Sequence, residues 1–473
     1  MTAGLALPAS FRDPSGRVFL RDGRIFRTVT RRAAADFQRV VETGLLEELA
    51  REDLLVPWRQ VPLADAAPVD GNVVKVLEHD RLDFISYPYE WSFAGLKAAA
   101  ILHLDIQLRA LSKGITLSDA SAYNVQFVGP RPVFIDHLSF RPYREGEFWR
   151  GHRQFCDQFL NPLLLRAWLG IPHNAWYRGA MEGIPAVAVA ATLPWRAWLA
   201  PRIATHVMFP AWFERLALRS SNSAVSRKVS KTKLPRRSFE RMLRSLRSWI
   251  AGLRPKGAAK TVWSDYAASN TYTGAEAQKK RVFVARFAER VKPALLWDIG
   301  CNTGEYAQVA LEAGAALAIG FEYDPGALER AFHRAESRDL RFLPLYLDAA
   351  NPSPSQGWNQ AERDGLAARG PAPGLLALAV VHHLCVGRNI PLADAVAWLV
   401  GQAHQGVIEF VPKKDSMVQA LLSFREDIFD DYCDESFDCA LSMVAKVVHS
   451  ETITESGRRL VWYERPCASA RSH

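Results

Sequence analysis

Residues 295–324 read LLWDIGCNTGEYAQVALEAGAALAIGFEYD, and this stretch decides the architecture of the C-terminal half. Leu295, Leu296, Trp297 and Ile299 predict a short apolar strand, after which Gly300 and Gly304 permit a tight turn and a close approach of backbone to a ligand. Asn302 and Thr303 suit a helix start, Glu305–Ala313 continues the helix, and Gly314 ends it. Ala316–Phe321 then reads as a second strand, with Glu322 at its carboxyl end. A strand, a glycine turn, a helix and a strand closed by carboxylates make a βαβ unit.

The glycine spacing separates two cofactor chemistries. A dinucleotide site uses G-x-G-x-x-G to seat a pyrophosphate on the helix N-terminus, whereas Asp298-Ile299-Gly300-Cys301-Asn302-Thr303-Gly304 lacks one glycine of that pattern. The D-x-G-x-x-x-G run resembles motif I of the class I S-adenosylmethionine-dependent methyltransferases. The resemblance implies an α/β fold with a doubly wound, Rossmann-like sheet and S-adenosyl-L-methionine as cofactor. In that family's arrangement Gly300, Cys301 and Gly304 line the methionine moiety through backbone, Asn302 belongs to the same cofactor-binding loop, Asp298 orients the loop or the ammonium, and Glu322 takes the ribose hydroxyls. An ordinary strand, turn and helix is the plainer alternative.

Downstream segments extend this reading. A helix over Gly326–Ala335 leads to a third strand, Phe342–Leu347, and the resemblance puts Asp348 and Ala349 at the adenine. A fourth strand, Leu375–Val381, is followed by His382-His383-Leu384, where the family places the transferred methyl. His382 and His383 are therefore candidate catalytic bases or acceptor-positioning groups. A fifth strand, Gly406–Phe410, carries Glu409 toward the same cleft, and Ala440–Val448 and Leu460–Arg465 supply closing antiparallel strands. No Asn-Pro-Pro-Tyr follows strand four, which argues against the usual amino-directed nucleic-acid enzymes. O- or N-methylation of a small molecule or glycan is the expected activity.

At 473 residues the chain exceeds what one core usually supports. No apolar run approaches a bilayer span, and MTAGLALPASFRDPSG lacks a basic segment followed by an apolar core, so a cytoplasmic protein is expected. The six cysteines show no C-x-x-C pair and no His/Cys ligand spacing. Reduced thiols and no metal follow as expectations. The net charge of +9 is local: residues 219–260 carry 13 Lys or Arg against the single acid Glu240.

The N-terminal part reads as a separate α+β domain. A hairpin turning at Arg21-Asp22-Gly23, a helix over Ala33–Leu49, strands at Asn72–Leu77 and Leu82–Ser86, and a long helix over Ser92–Ser112 are predicted. Asp119 and Asn124 are spaced as in the D-x-x-x-x-N catalytic loop of protein kinases and aminoglycoside-type phosphotransferases, and Asp136 follows on a short strand. There the first Asp accepts the hydroxyl proton while the Asn and the later Asp hold metals on the phosphates. The match is incomplete, since His137-Leu138 departs from the pattern, no glycine-rich phosphate loop is evident, and Arg27 and Lys75 are weak candidates for the phosphate cation. A hairpin about Gly129-Pro130, with Asp119 and Asn124 satisfying turn backbone, explains the same residues.

YPYEWSF at 87–93, DASAYNVQF at 119–127, FIDHLSF at 134–140 and RQFCDQFLNPLLL at 153–165 resemble bacterial proteins related to the nodulation protein NoeA. That family likeness implies methyl transfer and leaves the acceptor open. The expected organisation is 1–218, an N-terminal domain with a degenerate kinase-like character; 219–262, a basic linker; and 263–473, the methyltransferase domain, with Trp263–Tyr272 as a cap. Within the linker, Phe239, Met242, Leu243, Leu246, Trp249, Ile250 and Leu253 form an amphipathic stripe. Docking on a flanking domain is the favoured reading, and membrane-surface binding, or RNA contact by an RNA-modifying enzyme, is the alternative. A non-catalytic cofactor sensor is a further one.

Overall fold

In a computed structural model of the chain, residues 5–66, 71–212, 214, 233–257, 273–423 and 425–466 are described. They form two compact units, one of residues 1–257 with 356–363 and one of residues 258–355 with 364–473. The cap expected at Trp263–Tyr272 and most of the Ser/Lys/Arg run from Arg219 lie outside the described residues. No described helix is long and apolar enough to cross a membrane.

The first unit opens with a five-stranded antiparallel sheet ordered β1-β2-β3-β5-β4, from β1 (Leu5–Ala6), β2 (Val18–Arg21), β3 (Arg24–Thr30), β4 (Trp58–Val61) and β5 (Val73–His79). The β2–β3 hairpin turns on Asp22 and Gly23, both at positive φ, the pairing a two-residue turn demands. The helix expected over Ala33–Leu49 is two helices, Arg31–Glu42 and Leu45–Arg51, because Gly44 adopts a left-handed conformation between them. No strand forms at Leu82–Ser86. There the Gln126 side chain stands in for a neighbouring strand, its Oε1 accepting from the Ser86 N–H at 2.9 Å and its Nε2 donating to the Ser86 carbonyl at 3.0 Å.

Ser92 caps the long helix Phe93–Ser112 by accepting from the Gly95 N–H. Two small two-stranded ladders follow, β6 (Ile115–Leu117) with β9 (Phe140–Pro142) and β7 (Val125–Val128) with β8 (Arg131–Phe134). The basic amphipathic helix runs from Arg236 to Gly252 and belongs to this unit, packed against Phe93–Ser112. Phe239, Leu243, Leu246 and Ile250 are buried, and Arg247 Nη2 meets Asp105 Oδ2 at 2.8 Å. Arg241 and Arg244 stay exposed. Residues 356–363 also belong here: Glu362 Oε1 accepts from Arg12 Nε at 2.8 Å, and the Arg363 guanidinium lies 4.4 Å over the Tyr123 ring.

The second unit is built on one seven-stranded sheet. Its strands are β10 (Leu296–Ile299), β11 (Ala318–Glu322), β12 (Phe342–Tyr346), β13 (Ala372–Ala377), β14 (Ala403–Phe410), β15 (Lys446–Thr452) and β16 (Arg459–Glu464), in the order β12-β11-β10-β13-β14-β16-β15. The first five are mutually parallel, and β16 runs antiparallel between β14 and β15. The chain leaves β10 toward β11 on one side and returns to β13 on the other, so the strand order reverses beside β10. That reversal opens a crevice at the strands' carboxyl ends. The sheet is buried on both faces, with Trp297, Phe321, Leu376 and Val407 in its interior. One expectation fails in detail: Ala440–Val448 is a helix, Asp434–Val444, followed by β15. A ladder irregularity between Val447 and His449 bends β15 at the sheet edge.

Candidate functional site

Every loop at the carboxyl ends of β10 to β13 contributes to one cavity of about 400 Å³. Its wall includes Asp298, Gly300, Cys301, Asn302, Glu322, Asp348, Ala349 and His383, with Lys280, Tyr306, Ala379, Arg388 and Arg458 beside them. The motif loop after β10 is shaped by positive φ angles at Gly300, Asn302 and Gly304. Side chains at the two glycines would collide, because a Cβ on Gly300 would lie 2.6 Å from Val380 Cγ2 and one on Gly304 2.3 Å from Phe342 Cε1. Gly304 itself lies outside the cavity wall. It sets the turn that starts the helix Glu305–Glu312.

The loop is fastened from two sides. The Asn302 N–H donates to Glu322 Oε2 at 2.8 Å, and the Asp324 N–H donates to Glu322 Oε1 at 2.7 Å. Arg334 Nε donates to the Thr303 carbonyl at 2.8 Å. Burial raises the Glu322 pKa, while the two N–H donors act the other way. Cys301 tucks its thiol against Gly320, where a Cβ would come within 2.7 Å of Sγ.

Asp298 is buried near the end of β10, and among the described residues its Oδ2 has no hydrogen-bond partner. Burial pushes its pKa up to about 7, against the pull of Lys280. Asp348 Oδ1 accepts from the Ala350 N–H at 3.0 Å, and its Oδ2 lies 3.4 Å from Arg388 Nη2. The carboxylates after three successive strands thus face one cavity.

Of the three residues expected to act on the acceptor, only His383 lines the cavity. The fourth strand ends at Ala377, and both histidines sit in the helix Val381–Arg388. Consecutive helical residues point about 100° apart, and this turns His382 into the interior, where neither ring nitrogen has a partner among the described residues. Burial holds the His383 pKa down, to about 4, and also holds that of His382 well below the usual imidazole value. The rings lie 4.0 Å apart. Glu409 is likewise withdrawn from the cleft: it is fully buried, with Oε2 2.6 Å from Lys280 Nζ and Oε1 3.9 Å from Arg458 Nη1. Arg458 in turn makes a paired contact to Asp415, two bonds of 2.8 Å.

Sequence reasoning missed Lys280, Arg388 and Arg458, which bring positive charge to this end of the sheet. A signal for Lys280 exists. It occupies the same helical stripe as Phe283, Val284 and Phe287, all buried, and a lysine on an apolar face implies a buried anionic partner. Its ammonium also lies 4.6 Å over the Tyr306 ring.

In the first unit Asp119, Asn124 and Asp136 do come together. Asn124 Nδ2 lies 3.2 Å from Asp119 Oδ2 and 3.3 Å from Asp136 Oδ2. Asp136 is already saturated: Oδ1 meets Arg27 Nη2 at 2.9 Å and the Leu138 N–H at 3.0 Å, and Oδ2 accepts from Ser139 Oγ at 2.6 Å. Arg27 also pairs with Asp13 at 2.5 Å. Burial and the Asp136 charge push the Asp119 pKa up to about 6. Lys75 is not in this cluster and donates to Gln38 Oε1 at 2.6 Å.

The nodulation protein NoeA of Rhizobium meliloti (strain 1021) is 48% identical to this chain over 462 residues, covering 96% of this chain and 95% of NoeA. The chain belongs to the NoeA family. No family model matches it. Among solved structures it is similar to magnesium protoporphyrin IX methyltransferase from Synechocystis PCC 6803 with bound SAH, at 16% identity over 40% of this chain and 84% of that one, TM-score 0.30. It is also similar to the N-methyltransferase NodS from Bradyrhizobium japonicum WM9 in complex with SAH, at 11% identity over 40% of this chain and 88% of that one, TM-score 0.29.

Proposed function

We propose that this NoeA-family chain is an S-adenosylmethionine-dependent methyltransferase acting on a hydroxyl or amine of a small molecule or glycan. The observation that carries this reading is buried Asp298, whose Oδ2 has no hydrogen-bond partner among the described residues and which lines one cavity with Glu322 and Asp348. A buried carboxylate oxygen without a donor is costly unless a ligand supplies one, and an amino-acid ammonium is such a donor. Asp298 would hold the ammonium, Glu322 the ribose hydroxyls and Asp348 the adenine amino group. Gly300 lets the backbone pass close to the methionine moiety, with Cys301 and Asn302 in the same loop. The chemistry supports the fit, since Asp298, Glu322 and Asp348 bring carboxylates to the cavity for a ligand carrying an ammonium, ribose hydroxyls and an amino group.

When bound, the cofactor supplies an electrophilic methyl group on a sulfonium. The chain's own contribution is to hold the acceptor and to remove a proton. His383, which lines the cavity, would accept that proton at a ring nitrogen. Lys280 and Arg458 fix the charge balance behind the site and keep Glu409 from the cleft. A small acceptor is favoured over RNA because the basic helix Arg236–Gly252 spends its apolar stripe and Arg247 on packing inside the first unit.

Calorimetric titration of the full chain with S-adenosylmethionine, paired with methyl transfer from labelled cofactor to fractionated cell extract, tests the proposal. Binding abolished by the double change Gly300→Arg, Gly304→Arg, together with a labelled product, is the expected result. Equal binding by that variant would remove the site assignment, and binding without any product would leave a sensor instead.

For the first unit, the convergence of Asp119, Asn124 and Asp136 favours a degenerate kinase-like lobe as a second reading. Arg27, Asn124 and Ser139 occupy the acids that would otherwise hold phosphate-bridging metals.

A further inference from the structure

His152 and Cys156 are four residues apart on one helical run that begins at His152–Phe155 and continues as a π-helical turn, Cys156–Leu160. That spacing places both side chains on the same face. A separate π-helical turn, Ala204–Met208, brings His206 against them. His152 Nε2 lies 3.0 Å from His206 Nδ1, Cys156 Sγ lies 3.7 Å from His152 Nε2, and all three atoms are within 4.8 Å of one another. All three residues belong to the first unit, well away in sequence from the cavity residues of the second.

We propose that His152, Cys156 and His206 form a binding site for a zinc-type divalent cation. Metal–nitrogen and metal–sulfur bonds of about 2.05 and 2.3 Å at a tetrahedral centre separate two nitrogens by about 3.3 Å and a nitrogen from sulfur by about 3.6 Å. The two shorter separations here are close to those edges. The donor set suits a borderline-soft ion, which takes imidazole and thiolate together, and excludes magnesium or calcium, which take oxygen. Three protein ligands leave a fourth position for water or another donor.

The surroundings support ligation. Cys156 and His206 are buried, the Trp149 ring lies 5.9 Å from the His152 ring, and the Trp249 ring lies 6.0 Å from the His206 ring. An aromatic shell of this kind limits solvent access to a metal centre. Binding breaks the Cys156 S–H bond, forms a metal–sulfur bond and releases one proton to solvent. Two of the ligand-bearing turns are π-helical, a distortion found often at functional positions.

The test uses the full chain, reduced and stripped of metal with a chelator, then titrated with cobalt(II) and back-titrated with zinc(II). A thiolate-to-cobalt charge-transfer band saturating at one ion per chain, erased by zinc, is expected. Cys156→Ser should abolish the band and His206→Gln should weaken zinc binding roughly 10- to 100-fold, while Cys439→Ser, at an exposed position, should change neither. Circular dichroism of each variant separates loss of ligand from loss of fold. If Cys156→Ser does not fold, His206→Gln alone decides through its cobalt spectrum and zinc affinity. Absence of the band in the wild type, or a band that survives both substitutions, would overturn the proposal.

Discussion

Lys280 Nζ and Glu409 Oε2 meet at 2.6 Å in the interior of the second unit, although 129 residues separate them in the chain. Both side chains are almost wholly removed from water. Removing one partner of a buried pair leaves an uncompensated charge and typically costs about 3–5 kcal/mol. Lys280→Met should therefore destabilise the chain by about 3 kcal/mol, the low end, because Arg458 remains 3.9 Å from Glu409. The double change with Glu409→Leu should recover most of the loss. Urea unfolding of the three proteins measures this, and equal stabilities for the single and double variants would contradict the coupling.

Glu322 fastens the motif loop through Asn302 and still faces the cavity. Hydrogen bonds to a charged group contribute about 1.5–3 kcal/mol each. Glu322→Ala should weaken S-adenosylmethionine binding by roughly 10- to 100-fold per bond lost, read by calorimetry. An affinity within twofold of wild type would place the ribose elsewhere.

The pH dependence of cofactor binding should follow Asp298. Its folded pKa is raised to about 7, so the folded, unliganded chain holds a proton there that an unfolded chain releases near the ordinary carboxylate pKa. Between those two values stability contributed by this group falls as pH rises, because the native state binds the extra proton. An ammonium ligand favours the ionised form, so affinity should rise with pH up to about 7 and then level off. Lys280 and Glu322, which pull the titration in opposite directions, remain in place in Asp298→Asn. That variant should bind more weakly and lose the slope; a slope that persists would assign the titration to another group.

His383→Asn should lower turnover by roughly 10²- to 10⁴-fold, the usual contribution of a positioned proton acceptor, with cofactor affinity unchanged. A comparable loss in cofactor binding would make it a structural residue.

Mg-ATP should leave the thermal midpoint of the full chain nearly unmoved. The lone pairs of Asp136 are already directed at Arg27, Leu138, Ser139 and Asn124. A clear upward shift that Asp136→Ala removes would show instead that these contacts open for a nucleotide.

The β10–turn–β11 stretch was legible because apolar strands and glycines at fixed offsets carry their meaning locally. Glu322 and Asp348 were legible for the same reason, each closing a short apolar strand. His382 and His383 were not separable: Leu375–Val381 reads as one apolar strand, whereas the strand stops at Ala377 and a helical turn sends adjacent side chains in different directions. Glu409 lies in a strand buried on both faces, where alternation gives no direction. Lys280 and Arg458 act through partners far away in sequence, which no local pattern reports. His206 reaches His152 and Cys156 only after the helices of the first unit pack.

Among the described strands, β15 stands at the edge of the second unit's sheet. Val447 and Val448 are both exposed there, at 43% and 44% of their surface, which in a flat, regular strand would invite another chain to extend the sheet and begin aggregation. The irregularity between Val447 and His449 bends this edge, and Lys446 and Glu451 put charges along it. A newly made chain thus carries its own guard against edge-to-edge association, set at the strand that completes the sheet last in sequence but one.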